Sequence, residues 1–167
     1  MTMSMMALTD LFIVLIAIVE LSRGAFGMPL HASCKIDWYF GLGCPETSKK
    51  IIDQIDLWKG NDCGTGEKCK YKFISFDNSV LKATHTTPVK NYVDDLTFVF
   101  NSNSTTSCVV NGFSTSETWY AVLDYGTNYC NLHNLITGSG LDLTANYKEA
   151  TDNGRCTQYS SANCDKY

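Results

Sequence analysis

The stretch CKYKFISFDNSVLKATHTTP, residues 69–88, decides the fold. Cys69, Tyr71 and Phe73 alternate with lysines, the two-residue repeat of a strand with one face in water. Asp77 and Asn78 both tolerate left-handed backbone, which predicts a hairpin turn. Residues 80–87 (VLKATHTT) then return antiparallel until Pro88 stops them. A lone hairpin is marginal in water, so its neighbours in the chain must complete the sheet.

Downstream, residues 92–100 read as a third strand, with Tyr92, Leu96, Phe98 and Phe100 on one side and Val93, Asp95, Thr97 and Val99 on the other. Asp94 and Asp95 therefore face opposite ways and form no catalytic dyad. The polar segment 101–106 (NSNSTT) reads as an exposed loop. It carries the acceptor sequon Asn103-Ser104-Thr105, so Asn103 is an expected glycosylation site. A fourth strand covers residues 108–113 and a turn covers 114–117. The unbroken apolar run WYAVL, residues 119–123, predicts a fifth strand buried on both faces. Residues 128–136 suit either a short helix or a sixth strand, and the remainder reads as a loop-rich tail pinned by Cys156 and Cys164. Short strands joined by short turns indicate an antiparallel meander, not parallel crossovers.

Upstream, Cys44-Pro45-Glu46-Thr47 opens a helix, with proline in a tolerated first-turn position and Glu46 at the positive end of the helix dipole. Ile51, Ile55 and Trp58, joined by Ile52, build one apolar stripe, while Lys49, Lys50, Asp53, Gln54 and Asp56 occupy the other face. Gly60-Asn61 ends it. The expected class is α+β, mainly β: a five- to six-stranded antiparallel meander curled around, or packed on, one N-terminal amphipathic helix and stapled by disulfides.

Compartment follows from the two ends of the composition. Residues 8–21 (LTDLFIVLIAIVEL) form an apolar run followed by small residues, the layout of a signal peptide. The small-x-small triplet Ala25-Phe26-Gly27 places the expected cut after residue 27, with a cut after Gly24 as the rival, leaving residues 28–167 as a single secreted domain. Losing Asp10, Glu20 and Arg23 takes two of the 17 acidic and one of the 13 basic side chains. The mild acidic excess that remains, without any basic cluster, argues against nucleic acid and against anionic lipid as partners. No second run is long enough to span a bilayer.

All eight cysteines, Cys34, Cys44, Cys63, Cys69, Cys108, Cys130, Cys156 and Cys164, follow the leader. An even count in an exported chain predicts four disulfides, with the connectivity open. Paired Cys-x-x-Cys or His-x-x-x-His spacing is absent, so neither a metal nor a cofactor is expected. An oxidised Cys130 would also deny His133, three residues on, a thiolate partner.

The segment WYAVLDYGTNY, residues 119–129, resembles the lipocalin hairpin in which an apolar strand ends in Asp-Tyr. A secreted meander with a cysteine-tied tail is similar to salivary lipocalins of blood feeders, although the Gly-x-Trp motif is absent. A helix followed by an antiparallel sheet is equally similar to cystatins, whose Gln-x-Val-x-Gly loop is missing here. The two resemblances imply a lipocalin-like cup or a cystatin-like helix on a sheet.

A curled sheet must fill its concave face with a helix, with its own side chains or with a ligand. Tyr71, Phe98, Phe100, Trp119, Tyr120 and Leu123 are the expected lining of that face, and thus of a pocket for a small hydrophobic molecule. Two other readings stand beside it. One is an extracellular protein-interaction module, an inhibitor, defence or toxin-like factor, acting through residues 101–106 and 114–117. The other is a small hydrolase in which His85 or His133 meets a carboxylate such as Asp95 or Asp124. His85 is expected half-exposed on its strand, and His31 mobile near the cut. No nucleophile elbow, phosphate loop or metalloprotease motif occurs, so the chain reads as non-catalytic.

Overall fold

The computed structural model describes residues 31–117 and 123–167. The leader, its expected cut, and the expected lining residues Trp119 and Tyr120 lie outside these. Six antiparallel strands form one sheet: β1 (Ser33–Phe40), β2 (Tyr71–Asp77), β3 (Val80–Thr86), β4 (Val93–Ser104), β5 (Ser107–Ser116) and β6 (Lys148–Ala150). Two helices accompany them, α1 (Cys44–Leu57) and α2 (Thr127–Gly138). The strand order is β2-β3-β4-β5-β1-β6, so β1 sits between the end of the meander and the last strand.

The expected hairpin is present, with Asn78 and Ser79 both left-handed at its turn. Asp94 is buried and Asp95 exposed, on opposite faces as their spacing requires. The segment expected as a loop at residues 101–106 is largely strand: β4 runs to Ser104, and Ser104 pairs with Ser107 across a two-residue turn. Strand β1 precedes the helix expected to lead the domain. Its Cys34, Ile36, Trp38 and Phe40 all point into the core. The ambiguous segment 128–136 is helical, and α2 starts directly after a left-handed pair, Tyr125 and Gly126. Gly126 is required twice over, because a Cβ there would also lie 2.5 Å from that of Ala162.

Both helices pack against one face of the sheet. Ile51 and Ile55 of α1 and Leu132, Leu135 and Ile136 of α2 join the inward side chains of β1 to β5 in one continuous core. Trp38 stacks on Phe98, with centroids 6.2 Å apart, over Gly112, whose absent side chain makes room for the indole. Gln54, expected on the wet face of α1, is buried. Its amide donates to the Gly138 carbonyl at 2.8 Å and accepts from Trp58 Nε1 at 3.1 Å, tying the two helices together. Asp53 and Asp56 do face water, paired with Lys49 and Lys59.

The eight cysteines form four bridges, Cys34–Cys156, Cys44–Cys108, Cys63–Cys69 and Cys130–Cys164, and none is free. This set fits an oxidising compartment. No helix among the described residues is long and apolar enough to cross a membrane.

Candidate functional site

The face expected to hold a ligand is filled by protein. Phe98 is wholly buried against Trp38, and Phe100 packs edge-on against Phe76. Tyr71 lies beneath α2, its hydroxyl donating to the Asn131 carbonyl at 3.0 Å. These three residues are core. The physical reason is that two helices lie on the face, where one had been expected. Leu123 alone of the described lining residues is strongly exposed, and it borders a different cavity.

That cavity is a cleft of about 790 Å³ at one end of the sheet. Its walls come from the loop carrying Thr65, Gly66 and Glu67, the turn from Thr87 to Tyr92, the start of β4 at Asp94, the end of β5 at Ser116, the approach to α2 at Leu123 to Asn128, and the C-terminal Lys166 and Tyr167. Disulfides anchor two of these walls. Cys63–Cys69 closes the loop that presents Glu67, and Cys130–Cys164 holds the C-terminal residues against α2.

The polar floor is built around carboxylates. Asp94 Oδ2 accepts from Asn131 Nδ2 at 2.7 Å. Burial raises the Asp94 carboxyl above the ordinary carboxylate range, and the nearby charges of Asp124 and Asp95 push the same way against the hydrogen bonds of Asn131 and Ser116. Glu67 is pushed up to about 7, first by burial and then by Asp94, with Lys166 opposing. Its Oε2 is buried without a hydrogen-bond partner. Asp124 is differently placed: it accepts from Gly126 N, Asn128 N and Asn128 Nδ2 at 2.8–3.1 Å, at the positive end of α2. Asn128 in turn accepts from Ser114 Oγ at 2.6 Å. The carboxylates are therefore held by the fold.

The rim is apolar and aromatic. Val89, Tyr92, Leu123 and Tyr125 are exposed there, and Tyr125 stacks on Tyr167. Lys166 Nζ lies over the Tyr167 ring at 4.7 Å, so the wall already hosts one ammonium against an aromatic face.

The histidines are placed otherwise than their strand and helix positions suggested. His85 is fully buried beside Tyr71, its Nε2 bonded to the Glu67 carbonyl, and burial holds its pKa down to about 4. No carboxylate is bonded to it. His133 does meet a carboxylate, but it is Glu149 at 3.0 Å, not Asp95 or Asp124. The same carboxylate accepts from Trp38 Nε1, Tyr129 OH and Tyr147 OH. His31 is held, with Nε2 2.7 Å from the Ser116 carbonyl oxygen.

Sequence reasoning missed Glu67, Asp94 and Tyr92 as neighbours. Only the strand register, which sets His85 opposite Asp94, could have hinted at a polar cluster there. Among the described residues no group of three or more His, Cys, Asp or Glu is arranged to hold a metal ion. No protein-family model, curated protein or solved structure matches the chain.

Proposed function

We propose that this is a secreted, non-catalytic binding protein whose end cleft holds a small amphiphilic cation, an ammonium group attached to an apolar or aromatic body. One observation carries the reading. The unpartnered buried oxygen of Glu67 sits beside Asp94 on the floor of a cleft rimmed by Tyr92, Leu123, Tyr125 and Tyr167. An incoming ammonium donates to that oxygen and relieves the repulsion between the two carboxyls, while its body covers the rim. This moves the ligand from the concave face, where a lipocalin-like cup would hold it, to the edge of a packed helix-on-sheet fold.

The secreted reading draws on the four disulfides and the apolar leader. The sequon residue Asn103 lies at the far end of β4 from Asp94. The hydrolase alternative gains little support from the His133–Glu149 contact, because the carboxylate is already committed to three other donors.

The test is a tyrosine-fluorescence titration with phenethylamine and with phenylpropionate, ligands of similar size and opposite charge. Saturable binding of the amine alone, weakened roughly tenfold by Glu67→Gln, is the expected result. Equal affinity for both, or no saturation by either, refutes the proposal.

A further inference from the structure

The sheet is open at β2, and its exposed side chains are unusual for a free edge. Among the described residues β2 pairs only with β3, and its other side has no strand partner, although Tyr71 N at its start donates to the Trp58 carbonyl at 3.1 Å. Phe73, Ile74 and Phe76 on it are 44%, 48% and 44% exposed. Phe73 and Phe76 lie opposite the buried Ala83 and Leu81, so they extend the apolar face of the sheet past the cover of the helices. Beside this edge runs a second cleft of about 530 Å³, walled by Ile55, Lys59, Lys70, Lys72 and Phe73, among others. Asp56 is the single acidic residue lining it and is already paired with Lys59.

We propose that β2 is a docking strand for an extended, acidic segment of another protein, which adds to the sheet beside residues 72–77. Main-chain hydrogen bonds along the open edge supply the affinity, and side-chain chemistry selects the partner. Alternate acidic side chains reach Lys70 and Lys72, and the apolar ones between them cover Phe73 and Phe76.

Charge decides among occupants. A second copy pairing antiparallel with β2 over its full length would set Lys72, the one lysine in the strand, opposite Phe76 and would offer the lysines of the cleft no run of carboxylates. Lysines and the register shift between Phe73 and Ser75 commonly protect an edge from self-association. The lysines of the cleft attract an acidic strand instead. An anionic membrane meets the same lysines, but it cannot pair the free backbone, and Asp77 at the hairpin tip would face its surface. The proposal is independent of the carboxylate cleft.

The experiment uses the intact disulfide-bonded protein and a synthetic peptide of about ten residues alternating Glu and Val. Binding is followed by calorimetry and by amide hydrogen exchange. The expected result is saturable binding that protects the amides of Phe73 and Ile74. It weakens roughly tenfold in Lys72→Glu, weakens with added salt, and vanishes for a peptide N-methylated at alternate residues. Lys72 and Phe73 are surface residues, and an unchanged thermal melt verifies that Lys72→Glu and Phe73→Thr fold. Four outcomes overturn the proposal: no protection of β2, equal binding of the Lys-Val counterpart, retention of the N-methylated peptide, or concentration-dependent dimerisation that the peptide does not dissolve. Binding to phosphatidylserine vesicles without peptide binding assigns the patch to membranes and overturns it too.

Discussion

Replacing Glu149 by Gln should cost more stability than any other isosteric exchange in this protein. The carboxylate lies on β6 and accepts four donors: Trp38 Nε1 at 2.8 Å, Tyr129 OH at 2.9 Å, His133 Nδ1 at 3.0 Å and Tyr147 OH at 3.1 Å. These donors come from β1, from α2 and from the strand's own approach, so one side chain joins three parts of the fold. Oε2 serves three of the donors and Oε1 only Tyr129, so glutamine keeps its oxygen towards the three and turns an NH2 towards the Tyr129 hydroxyl. At about 1.5–3 kcal/mol for each hydrogen bond to a charged group, losing the Tyr129 bond alone costs about that much, and the other three bonds weaken as the charge is lost. That is a large share of the 5–15 kcal/mol that typically holds a domain together.

The effect carries a pH signature. Burial works to raise the Glu149 pKa, but the hydrogen bonds from His133, Trp38 and Tyr129 prevail and hold it below the ordinary glutamate value. A depressed folded pKa means stability that is complete above the unfolded pKa and lost as pH falls through the folded one. Urea unfolding, with disulfides intact, should therefore show a wild-type stability that declines in acid more steeply than that of Glu149→Gln. A loss under about 1 kcal/mol at neutral pH, or parallel pH profiles, would refute the reasoning.

Other expectations can be checked by similar means. Gly112→Ala should lower the melting temperature, since its Cβ would lie 2.4 Å from the Trp38 ring, an overpacking worth about 1–3 kcal/mol. Removing Cys34–Cys156, which spans 122 residues, should cost about 5 kcal/mol in chain entropy, against about 2 kcal/mol for Cys63–Cys69, which spans 6, as read by denaturant midpoints. With Glu67 titrating at about 7, binding of phenethylamine should release a proton and weaken as pH falls below that value. Calorimetry in buffers of different ionisation heat measures the release, and Glu67→Gln should abolish it.

The elements that periodicity encodes strongly were legible in the sequence. Helix α1 begins at Cys44 as its proline and apolar stripe predict, and the hairpin turns at Asn78-Ser79, one residue beyond the expected Asp77-Asn78. Strand β1 is absent from the sequence expectations although Cys34, Ile36, Trp38 and Phe40 alternate cleanly. The aromatic candidates at the sheet face were read from strand spacing, which distinguishes inside from outside but not a filled face from a hollow one. What filled it was α2, whose helical state depends on a left-handed pair, Tyr125-Gly126, that periodicity does not register. The carboxylate cleft was invisible for a simpler reason. Glu67, Asp94 and Tyr167 are far apart in the chain, and only the loop cystine, the β3–β4 register and the tail bridge bring them together.

The position of β1 bears on how the molecule is made. As the first strand to emerge during synthesis, it finds no neighbour until β5 appears and no second one until β6 follows at Lys148–Ala150. Cys34 and Cys44 meanwhile travel as open thiols beside Cys63 and Cys69, the nearest but wrong sulfurs. Premature links of Cys34 or Cys44 to each other or to Cys63 and Cys69 must be undone before the sheet can close, so maturation is set by thiol exchange and high contact order, and an isomerase should shorten it markedly.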